Sequence, residues 1–238
     1  MAFPFVFDAA RMQAELEQVE AGRRWHDHPD YTVVARTGDW TALALIACDN
    51  ADPDDPESLR YRRQPSGPTS ILARCPYIQE VIASFKTDVH RARLMNLKPG
   101  TNITPHRDYG EQRYSLIRGY IRVHIPIRTH PDVYFFVSGK RIPMTAGSAW
   151  YTNVCNLHAV RNDSDVERVH LVLDMKVNDW VLGFFPPLSV FDRMLGSLLV
   201  RYERPFLRTK SLLRARYFQA RRFAGDLGLR DLKKRFVG

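Results

Sequence analysis

Residues 121–127 set the tightest limit on the fold. Ile121, Val123, Ile125 and Ile127 alternate with Arg122, His124 and Pro126. Successive side chains of a strand point to opposite faces, so this run reads as a β-strand with one apolar face and one face carrying arginine and histidine. A helical period does not fit it. The same signal recurs downstream. Residues 149–153, 158–162 and 168–177 read as further short strands, and Gly139 and Gly147 stand in the turn-like stretches Ser-Gly-Lys and Thr-Ala-Gly-Ser. Short strands at roughly ten-residue spacing predict a sandwich or jelly roll.

Helical patterns flank this region. Asp8 can cap a helix that places Met12, Leu16 and Val19 on one face. Pro76 opens a second, with Ile78, Val81, Ile82 and Phe85 at helical spacing. Trp40 to Ala47 is apolar and short, and fits either a strand or a buried helix. Residues 49–70, with four prolines and many aspartates, read as a long loop, of a kind that often forms a lid. After Ser189 the helical period returns in Val190, Phe191, Met194, Leu195, Leu198 and Leu199. The expected architecture is mainly β with flanking helices, one domain over 1–200 and a basic helical extension over 201–238.

Charge supports that division. The chain has 238 residues, 35 Lys+Arg and 26 Asp+Glu. Residues 201–238 hold 12 of the basic and 3 of the acidic residues, so the whole formal excess of +9 sits there. The body is neutral and offers no general attraction to nucleic acid, which is not expected as a partner. The basic tail, interleaved with Phe206, Leu213, Tyr217, Phe218 and Phe223, fits an amphipathic helix. It could dock on an anionic membrane surface or a carrier protein, or pack on the domain with a solvated basic face. Cys48, Cys75 and Cys155 lie far apart with no Cys-x-x-Cys, which excludes a disulfide framework and suits a reducing, cytoplasmic setting. No signal peptide is read at the start. The longest apolar run, Trp180 to Phe191, is broken by Gly183, Pro186 and Pro187 and is too short to span a bilayer.

The chemistry concentrates in Pro105-His106-Arg107-Asp108. On a strand His106 and Asp108 share a face and can reach one metal ion. His158 begins another predicted strand. Two histidines and a carboxylate form the facial triad of non-haem Fe(II) oxygenases, which leaves coordination positions open. Arg168, on the next strand, could hold a distant carboxylate by a bidentate pair. His-x-Asp is a short motif, and on spacing alone the same residues also fit ordinary polar positions at a core edge.

The surrounding residues are more specific. Arg93-Leu94-Met95-Asn96-Leu97-Lys98-Pro99-Gly100-Thr101 and Pro105-His106-Arg107-Asp108 are followed by Arg122-Val123-His124-Ile125-Pro126-Ile127 and Gly147-Ser148-Ala149-Trp150. Then come His158-Ala159-Val160-Arg161-Asn162 and Arg168-Val169-His170-Leu171-Val172-Leu173-Asp174. Together they resemble the aspartyl/asparaginyl β-hydroxylase-like family of Fe(II)- and 2-oxoglutarate-dependent oxygenases. The stretch around Pro105 is also similar to bacterial proline hydroxylases. The resemblance covers residues 70–180 well and the N-terminal part loosely.

It implies a double-stranded β-helix, or cupin-like jelly roll, with iron inside and 2-oxoglutarate and O2 as co-substrates. By position, His106, Asp108 and His158 match the iron ligands, Arg168 the 2-oxoglutarate anchor, His124 a residue touching 2-oxoglutarate, and Arg122 one meeting the substrate carboxylate. The implied reaction hydroxylates an unactivated C–H of an anionic, carboxylate-bearing small molecule such as an amino acid or derivative. A lipid or carrier-tethered substrate brought by the tail is the alternative, as is a cupin-like binding module without turnover. Two departures stand out. Some animal members lack the carboxylate that Asp108 supplies. A serine that helps hold 2-oxoglutarate in relatives is wanting, since Leu94 and Met95 stand before the Pro-Gly-Thr turn.

Other polar residues divide. His170 shares a strand face with Arg168 and could line the site or be a hydrogen-bonded core histidine. Arg118 and Arg113 could touch an acidic substrate, or be solvated charges. His26-Asp27-His28, before Pro29, reads as loop or surface. His130 sits in a turn, Cys155 reads as packed, and Trp150 as part of the barrel wall.

Overall fold

The computed structural model of the chain describes residues 1–22, 24–28, 39–48, 52–59, 66–108, 115–195 and 197–198. The expected extension over 201–238, Arg113, and residues 49–51 and 60–65 of the expected lid lie outside these. The chain divides into two compact units, Met1–Pro187 and Leu188–Gly238.

The first unit runs β1 (Ala2–Val6), α1 (Ala9–Glu20), β2 (His26–Asp27), β3 (Trp40–Cys48), β4 (Ser66–Pro68), α2 (Pro76–Ala83), β5 (Val89–Leu97), β6 (Asn102–His106) and β7 (Tyr120–Arg128). It continues with β8 (Val133–Val137), β9 (Lys140–Arg141), β10 (Ser148–Tyr151), β11 (His158–Asn162), β12 (Arg168–Lys176) and α3 (Asp179–Leu182). The larger sheet has the order β1-β10-β7-β12-β5-β3-β2, with β4 on β3; the smaller is β6-β11-β8-β9. Every pairing is antiparallel. The sheets pack face to face through Trp40, Ala42, Ala44, Met95, Leu97 and Val172 on one side and Ile103, Phe135 and Val160 on the other. This is the expected jelly roll.

The opposite face of the large sheet carries the main core. Leu43, Leu45, Leu94, Ile121, Val123, Ile125, Leu171 and Leu173 pack under Met12, Leu16 and Val19 of α1 and Ile78, Val81 and Ile82 of α2. Strand β12 is therefore covered on both faces, and eight of its nine residues are buried. Its odd positions, Val169 to Met175, serve the helix layer. Its even positions, Arg168, His170, Val172 and Asp174, face the barrel interior. Pro126, inside β7, sits at a register shift against β12, where a strand tolerates proline.

Asp8 caps α1, its Oδ1 accepting from Ala10 N at 3.0 Å and Arg11 N at 3.1 Å. Helix α2 has no side-chain cap of its own. Buried Glu15 of α1 supplies one instead, its two oxygens accepting from Tyr77 N at 2.6 Å and Ile78 N at 2.9 Å. The carboxylate satisfies two open amides and sits at the positive end of the helix.

Two expectations are corrected. The stretch 49–70 is not all loop: Ser66–Pro68 pairs with β3, Ile46 opposite Pro68, and Pro56–Leu59 forms a 3-10 turn. His28 is not at the surface. His28 N donates to Trp40 O at 2.9 Å, and the ring is buried and stacked on Trp40 at 3.7 Å.

Gly147 is the glycine the fold depends on most. Its φ is +80°, and a Cβ there would run into the Phe7 carbonyl oxygen. Phe7 N donates to Gly147 O at 2.9 Å, and Gly147 N to Pro126 O at 2.8 Å, tying β1 to β7 and β10. Gly147→Ala is expected to cost on the order of 1–3 kcal/mol from backbone strain, with the clash added. A urea midpoint equal to that of the unsubstituted chain would contradict this.

In the second unit, residues 190–195 are helical. Ser189 Oγ and Asp192 Oδ2 form a reciprocal cap at its start. Val190, Phe191, Met194 and Leu198 are exposed. Among the described residues no helix is long and apolar enough to cross a membrane.

Candidate metal centre

Strand pairing builds the centre. His106 closes β6, His158 opens β11, and the two are direct partners in the antiparallel ladder. Their rings lie 4.2 Å apart between centroids. Asp108 follows two residues after His106, fixed by its N–H donating to Val154 O at 3.0 Å. Its Oδ1 is 3.5 Å from His106 Nε2 and 3.7 Å from His158 Nε2. One ligand atom from each of the three residues lies within 4.8 Å of the others, the one such group among the described residues.

The tautomers suit ligation. His106 Nδ1 lies 2.7 Å from Thr104 O and His158 Nδ1 3.0 Å from Asn156 O. A carbonyl oxygen only accepts, so each Nδ1 carries a proton, and Nε2 is the nitrogen of each ring that faces the centre and can ligate a metal. Burial lowers the His158 pKa, which favours the neutral ring. For Asp108 burial alone would push the pKa up. The His106 ring and the Arg122 guanidinium outweigh it and hold the carboxyl well below its ordinary range.

Arg122 reaches Asp108 from β7. Its Nη1 donates to Asp108 Oδ2 at 2.6 Å, while Nε donates to Asp174 Oδ1 at 2.6 Å and Nη2 to Asp174 Oδ2 at 3.2 Å. Thus Oδ2 of Asp108 is engaged and Oδ1 faces the imidazoles. Asp174 is a hub. Arg91 and Arg122 are its direct neighbours on the two flanking strands. Arg91 Nη2 reaches it at 2.6 Å and Arg93 Nη2 at 3.2 Å. Burial would raise the Asp174 pKa, but Arg122, Arg91 and Arg93 hold it well below the usual value. Arg93 Nη1 also lies 3.2 Å from His28 Nε2.

At the other end of β12, Arg168 is buried and its Nη2 donates to His170 Nδ1 at 3.1 Å. Burial brings its pKa down to about 9, so the guanidinium stays charged at neutral pH. His124 lies between the two ends, its ring 5.7 Å from His170 and 5.2 Å from Phe135, which in turn stacks on His158 at 6.3 Å. Burial and the Arg168 charge hold both His124 and His170 neutral. Among the described residues, Arg168 Nε, His170 Nε2 and both nitrogens of His124 are buried without a hydrogen-bond partner. Buried polar atoms are normally satisfied, so this row marks a place where a polar ligand fits.

The structure therefore brings His106, Asp108, His158 and Arg122 together, with His124, His170 and Arg168 lining the same interior. Arg118 ends a 3-10 turn just before β7, its N–H donating to Ser115 O at 2.9 Å. Sequence reasoning missed Arg91, quoted Arg93 and Asp174 without a role, and read His28 as loop or surface. The first two and Asp174 were accessible from strand alternation, since Arg91 and Arg93 are in phase with Met95, and Asp174 with Arg168.

A family model described as aspartyl/asparaginyl beta-hydroxylase matches residues 7–177. Among solved structures the chain is similar to an oxidoreductase of the 2OG-Fe(II) oxygenase family from Burkholderia pseudomallei, at 15% identity, covering 71% of this chain and 78% of that one, with a TM-score of 0.46. It is also similar to a predicted oxalate decarboxylase from Thermotoga maritima, at 18% identity over 42% of this chain and 74% of that one, TM-score 0.28. A Cupin_2 domain of an XRE family transcriptional regulator from Enterobacter cloacae matches at 15% identity over 37% of this chain and 82% of that one, TM-score 0.29.

Proposed function

Because the chain belongs to the aspartyl/asparaginyl β-hydroxylase family, we propose that it is an Fe(II)- and 2-oxoglutarate-dependent hydroxylase acting on a carboxylate-bearing small molecule. The observation that carries this reading is the convergence of His106 Nε2, Asp108 Oδ1 and His158 Nε2 on one point. Two neutral imidazoles and one carboxylate suit Fe(II), and a set held on one side leaves room for a chelating co-substrate.

The chain's own groups have separable roles. His106, Asp108 and His158 would hold the metal. Arg122 keeps Asp108 turned with Oδ1 inward. Arg168, charged and buried, would pair with the far carboxylate of 2-oxoglutarate, and His124 lies between it and the metal ligands. When bound, iron and 2-oxoglutarate supply the oxidising power for C–H hydroxylation, with succinate and CO2 as by-products. The surrounding protein supplies buried polar side chains and fixed charges. An acidic substrate is favoured by Arg91, Arg93 and Arg122, which crowd the opposite end of β12 from Arg168.

The test is succinate release by the Fe(II)-loaded full chain given 2-oxoglutarate and a panel of amino acids and their acidic derivatives. Release stimulated by at least one acid, and lost in Arg168→Ala at low co-substrate, is the expected result. Absence of succinate with every acid, together with no Fe(II) binding, would refute the reading.

A further inference from the structure

Exposed apolar side chains gather in the second unit. Val190, Phe191, Met194 and Leu198 are 73%, 71%, 61% and 48% exposed. The other large apolar side chains exposed among the described residues, Met1, Val6 and Leu157, belong to the first unit. Residues 190–195 and 197–198 are helical, and at helical spacing the four side chains fall within an arc of about 100°. Ser189 and Asp192 fix the start of that helix by their reciprocal cap. Single exposed apolar residues are ordinary, whereas a grouped set marks a surface that meets something.

We propose that this face docks on an anionic lipid membrane, with the basic residues that follow it in sequence binding the headgroups. Residues 201–238 hold 12 basic and 3 acidic residues, with Phe206, Leu213, Tyr217, Phe218 and Phe223 interleaved. The occupant must therefore accept apolar side chains and a large positive charge together. Residues 1–200 hold 23 residues of each sign, so the chain's own body offers no compensating charge. A second copy brings the same excess and repels the first. A nucleic-acid duplex takes the charge through its phosphates but leaves Val190, Phe191, Met194 and Leu198 in water. An anionic bilayer takes both: the acyl boundary receives the apolar face and the headgroups receive the arginines. The charge is spread over the whole of 201–238, which suits an extended surface more than a single protein groove. The assignment concerns the second unit and does not depend on the reaction proposed above.

The test is flotation of the full chain with vesicles of phosphatidylcholine and phosphatidylglycerol at about 3:1, and with phosphatidylcholine alone, at ionic strengths of about 0.1 M and 1 M. The chain is expected to float with the anionic vesicles at low salt, and to lose most of that binding at high salt or without phosphatidylglycerol. Phe191→Ser combined with Met194→Ser is expected to weaken anionic-vesicle binding about 10-fold or more, because two inserted apolar side chains are lost. Val6→Ser, at an exposed apolar position of the first unit, is expected to leave it unchanged. Replacing Arg214, Arg216, Arg221 and Arg222 together by glutamine is expected to weaken binding and flatten its salt dependence. Phe191→Trp reports insertion directly: its added emission should shift to the blue on anionic vesicles and be quenched by lipids with brominated chains. Equal binding to neutral vesicles would overturn the proposal. Undiminished binding of the double serine variant would do so too, since charge alone would then hold the chain. Absence of vesicle binding would overturn it as well. In that case a dimer dispersed by the double serine substitution would give the face to a second copy, and a steeply salt-dependent complex with a DNA duplex would give the basic residues to nucleic acid.

Discussion

His106→Ala is expected to abolish 2-oxoglutarate turnover while the fold survives. The side chain sits at the end of β6, about one-fifth exposed, so its removal opens no closed core cavity. What it removes is one of three converging ligand atoms. Changes outside a ligand set typically cost about 10–100-fold in activity, and loss of a ligand exceeds that. Succinate release falling more than 100-fold, with a urea midpoint shifted by no more than about 0.5 kcal/mol in stability, is the expected pair of results. His130→Ala is the control, because His130 lies in an exposed turn where its Nδ1 accepts from Asp132 N at 3.2 Å. Chelation should reproduce the loss in the unsubstituted chain, and Fe(II) should reverse it. Full turnover in His106→Ala would remove the assigned centre.

Asp174→Asn is expected to be among the most destabilising single substitutions in the chain. The new side chain has the same shape, so packing is held constant and charge alone changes. Asp174 is fully buried and faces three guanidiniums. Removing one partner of a buried ion pair costs about 3–5 kcal/mol, because the opposite charge remains without compensation. Total stability is typically about 5–15 kcal/mol, so the loss is large in proportion. Acid titration supplies a second measurement. The folded pKa of Asp174 lies well below the unfolded value near 4, so between the two the unfolded chain holds the additional proton. Stability contributed by this group is present above about pH 4 and falls as pH drops through that window. In Asp174→Asn the dependence below about pH 4 should be shallower by up to one proton, about 1.4 kcal/mol per pH unit. Equal stability and equal acid slope would show that the three arginines do not need this carboxylate.

Much of this is legible in the sequence. Alternation on β7 put Arg122 and His124 on one face, and the same period on β12 grouped Arg168 with His170. The helix starts signalled by Asp8 and Pro76 were local, and local signals survive folding. What could not be read was the neighbour across the sheet. Asp174 meets Arg91 and Arg122 only because β12 lies between β5 and β7, strands far away along the chain. Strand order is a tertiary fact, and it turned three ordinary arginines into a buried cluster. His28 failed for the same reason. Its text suggests a loop, yet β2 pairs with β3, His26 opposite Ala42, and carries the next residue inward. Strand β4, Ser-Gly-Pro, has no alternation to find, and pairing with β3 alone makes it a strand.

The Glu15 carboxylate that closes the start of α2 makes two helices, distant in sequence, into one cooperative unit. Once α1 lifts from the sheet, the first amides of α2 lose their acceptors and an eight-residue helix has little reason to persist alone. Amide exchange of Ile78 should therefore follow the opening of α1 and not local fraying. The layer that backs the large sheet thus opens as one unit, and Arg168 and Asp174, on the strand beneath it, share a single floor.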